Sequence, residues 1–153
     1  MKAFRFPLER VLQWRGMQCE LEEATSTRLG IQRAALEQEL VDLASARKNA
    51  AESIFRSPEI LSAEFQTLAT YNNWTEQQKA RINQKVRQLD QQIAEQALRT
   101  AEARRKKKLL EKLREGRLQK WTVLRDSEDE QAAADSWLSR YAAERYTTDH
   151  ASP

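Results

Sequence analysis

This sequence predicts an all-α fold: two long helices forming an antiparallel coiled-coil hairpin, with the second helix longer and overhanging the first. Three observations carry that expectation. Gln, Glu, Ala, Leu, Arg and Lys dominate a chain of 153 residues with only three glycines and three prolines, so turn-forming punctuation is nearly absent. Apolar residues make up 40 % and aromatics 7 %, too little for a thick globular core but enough for a narrow helical seam. Apolar positions then recur at alternating spacings of four and three on both sides of one interruption.

The first helix, expected over about residues 8–56, carries the seam Leu8, Leu12, Arg15, Cys19, Glu22, Ser26, Leu29, Arg33, Leu36, Leu40, Leu43, Arg47, Ala50 and Ile54. It stops at Ser57-Pro58, because proline lacks an N–H donor and disfavours helix in the residue before it. Ser57 as cap and Pro58 at the first position also suit a new helix, so the turn is expected near 57–59. The second helix, about 59–146, continues the pattern through Leu61, Phe65, Leu68, Asn72, Thr75, Lys79, Ile82, Val86, Leu89 and Ile93. It weakens through Gln96, Thr100 and Ala103, then resumes near Leu110. Folding the chain at Glu59 pairs residues whose numbers sum to about 118. Apolar then meets apolar, with Ile54 near Phe65, Ala50 opposite Leu68, Leu36 opposite Ile82, Leu29 opposite Leu89 and Leu8 opposite Leu110. Residues 1–147 read as one hairpin and 148–153 as a disordered tail.

At 1.5 Å per residue the two helices come to roughly 70 and 130 Å, so the second must overhang. Everything beyond about Leu110 is expected to lack an intramolecular partner and to fray, especially at Gly116, which costs about 1 kcal/mol relative to alanine.

Charge is unevenly distributed. Residues 99–125 carry eleven Lys/Arg against three Asp/Glu, and 126–153 carry two against seven. Arg104 to Lys108 suggest a phosphate-binding patch, yet five consecutive helical residues make a collar around the axis instead of a stripe, and no zipper follows them. A basic surface for a protein partner is the preferred reading, beside a solvated charged helix or a nucleic-acid-associated coiled coil. Self-association through the weak seam at Gln96 to Ala103 is a further reading.

No run of about 18 apolar residues could span a bilayer, and MKAFRFPLERVLQWR lacks the apolar stretch of a signal peptide, so a soluble cytoplasmic protein is expected. Cys19 is the lone cysteine and His150 the lone histidine, which leaves no metal-ligand set or Cys–His pair. Cys19 is read as a small apolar seam residue. No Gly-rich phosphate loop or GxSxG is present, and a two-helix rod offers no enclosed pocket, so neither enzymatic activity nor a cofactor is expected.

Both ends carry a resemblance. Phe4-Arg-Phe-Pro-Leu-Glu-Arg-Val-Leu-Gln-Trp-Arg15 resembles the opening of the flagellar export FliJ proteins: an aromatic lead, a Leu-Glu-x-Val-Leu core and a following arginine. Lys108-Leu-Leu-Glu-Lys-Leu-Arg-Glu-Gly-Arg-Leu-Gln-Lys-Trp121, followed by acidic Ser127-Glu-Asp-Glu130 and Asp135, is similar to that family's K-x-LEKL-x-E-R block and acidic last helix. Gly116 departs from the pattern, standing where the block keeps a better helix former. The YscO-like stalk proteins of virulence secretion share the architecture and the kind of opening.

The resemblance implies a stalk of the type III export apparatus, cytoplasmic and attached to the inner membrane only through partners. Those partners would be the hexameric export ATPase, the export gate and export chaperones, with no small-molecule substrate. By position, Leu8, Val11, Leu12, Trp14, Arg15, Leu110, Leu113, Arg114, Arg117, Leu118 and Trp121 are candidates for the ATPase-facing end. Tyr71 and Trp74, with Leu43 nearby in the expected register, are candidates for the export gate, or else they widen the seam. Phe4 and Phe6 read either as a partner anchor or as a lid over the open end of the hairpin. Trp137, Tyr141 and Tyr146 read as a short amphipathic contact or as part of a polar tail.

Overall fold

In the computed structural model of the chain, residues 3–56 and 62–149 are described, with side chains through 146. Two helices account for nearly all of them, α1 over Glu9–Phe55 and α2 over Ser62–Asp149. They pack antiparallel, α2 is the longer, and no strand occurs among the described residues.

Local chemistry sets the boundaries. Pro7 stands in a turn just before α1, closed by the Glu9 amide donating to the Phe6 carbonyl at 3.2 Å. Glu9 then places a carboxylate in the first turn, and Glu64 does so in α2, where the helix dipole favours negative charge. The expected turn at 57–59, its Ser57 cap and the seam position Leu61 lie outside the described residues. At its other end α2 continues through Asp149, so Thr148 and Asp149 belong to the helix and not to the expected tail.

Packing divides into two compact units, Gly16–Arg105 and Met1–Arg15 with Lys106–Pro153. In the first, Cys19, Leu29, Leu68 and Leu89 are buried, with Cys19 only 3 % exposed. The 4-then-3 spacing identifies the seam well: Glu22, Ser26, Arg33, Leu36, Leu40, Leu43, Ala50 and Ile54 of α1 are half-buried, as are Asn72, Ile82, Val86 and Ile93 of α2. Arg47, Phe65 and Lys79 depart from it and are exposed. Arg47 reaches across the seam edge instead of into it, its Nε donating to Asn72 at 3.1 Å and its guanidinium pairing with Glu76. Phe65 lies edge-on to Phe55, ring centroids 6.3 Å apart, over the last turn of α1.

The stretch that looks weak in sequence is well buried. Gln96 and Thr100 are among the least exposed residues. Both bond to Glu22 of α1: Gln96 Nε2 donates to the Glu22 carbonyl at 3.1 Å and to its carboxylate, and Thr100 Oγ1 donates to the same carbonyl at 3.4 Å. A buried amide or hydroxyl without a partner costs about 1–3 kcal/mol, and among the described residues no buried side-chain polar atom is left without one. The seam is therefore continuous at Gln96 to Thr100, leaving no gap there for the self-association read from sequence.

Ion pairs line its edges. Arg104 Nε meets Glu23 at 2.7 Å, and Arg33 Nε meets Asp90 at 2.6 Å. Hydrogen bonding to those carboxylates, reinforced by their charge, raises both guanidinium pKa values, so neither arginine loses its proton short of strongly alkaline pH. Being exposed and screened, the pairs select register more than they stabilise. The register is close to the expected one: Glu22 meets Gln96 and Phe55 meets Phe65, while the arginine pairs fall slightly further along because the long side chain reaches past its own position.

Leu89→Ala is expected to lower unfolding free energy by about 2 kcal/mol in urea titrations with the slope unchanged, whereas Leu98→Ala, at an exposed position, should change it by less than about 0.5 kcal/mol. Equal losses at the two sites would contradict the seam assignment.

Candidate docking surface of the terminal unit

The second unit joins the N-terminal lead and the start of α1 to α2 from Lys106 onward. Sequence alone puts the end of coverage near Leu110. The structure moves it to about Arg125: Leu110, Trp121, Thr122 and Arg125 are half-buried, and every described side chain from Asp126 to Tyr146 is exposed. The reason lies in the lead. Ala3–Phe6 are non-helical, and extended chain covers about 3.3 Å per residue against 1.5 Å for a helix, so a few lead residues span two to three turns of α2.

Aromatic contacts hold the lead down. Phe6 is 7 % exposed, and the Arg117 guanidinium lies 5.9 Å from its ring centroid. Phe4 meets Trp121 at 6.0 Å and a 54° tilt, and the Arg125 guanidinium lies 5.2 Å from the Trp121 ring. Of the two readings of Phe4 and Phe6, the lid is the one observed. Arg114, expected to be free for a partner, instead pairs with Glu9 at 3.0 Å. Arg125 also pairs with Asp126 at 2.7 Å, and that hydrogen bond, with the carboxylate charge, raises its pKa.

The candidate ATPase-facing residues therefore split by environment. Leu8, Leu12, Arg15, Leu110 and Trp121 are half-buried, and Arg114 and Arg117 are engaged within the unit. Val11, Trp14, Leu113 and Leu118 are exposed. The Arg15 guanidinium lies 4.6 Å from the Trp14 ring, a basic and aromatic pair on the surface of α1. Gly116 does not interrupt α2, and an added Cβ there would meet nothing within 4 Å.

Of the basic collar, Arg104 is tied to Glu23 in the other unit, and Lys107 pairs with Glu111 at 3.8 Å in this one. Beyond Arg125, Trp137 stacks on Tyr141 with centroids 5.3 Å apart and 10° between planes, and the Arg145 guanidinium lies 5.1 Å from Tyr141. α2 is helical here and its exposed rings form an aromatic ladder. The spacing of 137 and 141, one helical turn apart, was the legible signal for it.

The three export-gate candidates do not form one surface. Leu43 lines a groove of about 560 Å³ with Leu40, Phe55, Leu68 and Thr75, whereas Tyr71 and Trp74 line another of about 690 Å³ with Ala63, Gln66 and Thr67. The rings stack at 5.8 Å. At about 100° per residue, Tyr71 and Trp74 fall on one flank of the Leu68–Thr75 line and Asn72 and Glu76 on the other, so sequence proximity in the hairpin joined residues that face apart.

Among the described residues no group of three or more His, Cys, Asp or Glu side chains could hold a metal ion, and no helix is long and apolar enough to cross a membrane. Comparison of the chain with protein-family models, curated proteins and solved structures finds no match.

Two outcomes test this unit. Phe6→Ala should accelerate amide hydrogen exchange over 109–121 while Gly16–Arg105 keeps its protection; unchanged exchange at 109–121 would remove the lid. Gly116→Ala should raise stability by about 0.5–1 kcal/mol, because the site is helical and open.

Proposed function

We propose that this chain is a non-enzymatic stalk of a bacterial type III export apparatus. Its terminal unit docks in the ring of a hexameric export ATPase and stimulates it, and the other unit contacts the export gate and export chaperones. The protein works in the cytoplasm and reaches the inner membrane through those partners. The flagellar system is preferred to a virulence system because the FPLERVL opening resembles the flagellar family most. No cofactor takes part.

The observation supporting this reading is the bare length of α2: from Asp126 to Tyr146 every described side chain is exposed, beside exposed Val11, Trp14, Leu113 and Leu118. Most helical stability in proteins comes from packing one face against a partner, which this segment lacks within the chain, and exposed aromatic and leucine side chains rimmed by charge are typical of protein-binding surfaces. A ring that encloses the end of a helix pair supplies contacts on all sides.

The decisive experiment measures ATP hydrolysis by purified flagellar and virulence export ATPases with and without the chain. Stimulation is expected, with the flagellar enzyme responding more strongly. Val11→Glu with Trp14→Glu should abolish it while far-ultraviolet circular dichroism stays helical, since both side chains are exposed. Reversal of Arg114 and Arg117 is less clean because it also breaks the contacts to Glu9 and Phe6. No stimulation of either ATPase, together with salt-sensitive binding to DNA or RNA between about 50 and 200 mM salt, would favour a nucleic-acid partner instead.

A further inference from the structure

Within the terminal unit α2 carries a second apolar stripe, distinct from the face under the lead. Leu109, Leu113, Val123, Leu138 and Tyr141 on it are between 41 and 68 % exposed, Leu124 on its flank is 60 % exposed, and Gly116, Lys120, Ser127 and Gln131 interrupt it. Positions 109, 113, 116, 120, 123, 127, 131, 134, 138 and 141 recur at spacings of four and three, with one doubled four through 123, 127 and 131, so they follow one line along the helix, roughly 100° around the axis from Leu110 and Trp121. A stripe of this period is the seam of a coiled coil. We infer that its partner is the same stripe on a second copy of this chain, running antiparallel.

Charge selects that occupant and that direction. Residues 106–125 carry eight Lys/Arg against two Asp/Glu, while 126–135 carry five Asp/Glu and no Lys/Arg. An antiparallel second copy lays its acidic stretch over the basic one; a parallel copy lays like on like. One register satisfies both patterns. Leu109 faces Leu138, Leu113 faces Ala134, Gly116 faces Gln131, Lys120 faces Ser127, and Val123 faces Leu124 across the two-fold axis. Lys112 then comes beside Glu130 on one flank and Arg117 beside Glu128 on the other. The surface is separate from the Gln96–Thr100 layer and does not depend on the stalk reading. Its consequence is that concentration governs whether Leu109, Leu113 and Leu138 are open to other partners.

Sedimentation of the full chain from about 1 to 100 µM in about 50 mM salt tests this, with a shift from monomer to dimer expected and a dissociation constant weakened at least about tenfold near 500 mM salt. Leu113→Glu with Leu138→Glu should remain monomeric throughout, with helicity by circular dichroism unchanged. Lys112→Glu should weaken the dimer and Lys112→Glu with Glu130→Lys restore it. In a Cys19→Ala background, mixed Leu109→Cys and Leu138→Cys chains should cross-link to each other, and Leu138→Cys alone should not. A wild-type monomer at about 100 µM, a dimer that survives the double leucine substitution, or self-cross-linking of Leu138→Cys overturns the proposal. So does a monomer that binds anionic vesicles through the same leucines, which assigns the stripe to a membrane surface.

Discussion

Burial of Gln96 and Thr100 against the Glu22 backbone is the interaction on which the helix pairing of Gly16–Arg105 depends. Apolar seams alone tolerate sliding, because a shift of one heptad again brings leucine to leucine. A polar layer does not, since any slip leaves an amide and a hydroxyl in the seam without acceptors. With Glu22 held opposite Gln96 and Thr100, Glu23 reaches Arg104, Asp90 reaches Arg33 and Phe65 meets Phe55. The leucines stabilise this unit, and the polar layer selects one register for them.

In the terminal unit the register is held differently. Glu9 pairs with Arg114 between its helical parts, and ring contacts of Phe4 and Phe6 fasten the lead. A non-helical lead covers more of α2 per residue than a helix would, so a short aromatic segment closes the open end of the pair. What stays uncovered is then well defined: the Val11 and Trp14 surface on α1, the stripe through Leu109 and Leu138, and the ladder of Trp137 and Tyr141. One helix thus presents a buried face and an open one, which is what a protein needs if it must be stable alone and still bind.

Periodicity made most of the seam legible. Leu29, Leu68 and Leu89 fall at its expected positions, and so do Gln96 and Thr100, which polarity alone would place outside. Arg47 and Phe65 were misplaced because periodicity reports direction from the axis and is blind to reach: a long guanidinium leaves the seam for Glu76, and a ring near the turn covers a helix end. The split of Leu43 from Tyr71 and Trp74 has the same origin, since a register states which residues are level and not which flank they occupy.

By itself the sequence determined the helices, their antiparallel pairing, the seam and the segregation of charge along α2, because each follows from spacing and composition within a single chain. Only the tertiary structure decided that the lead is a lid, that Arg114 and Arg117 are already engaged, and that exposure begins at Asp126 and not at Leu110. Those outcomes turn on how far Ala3–Phe6 extend along α2, and the reach of a non-periodic segment is set by contacts across the pair, which no spacing rule encodes.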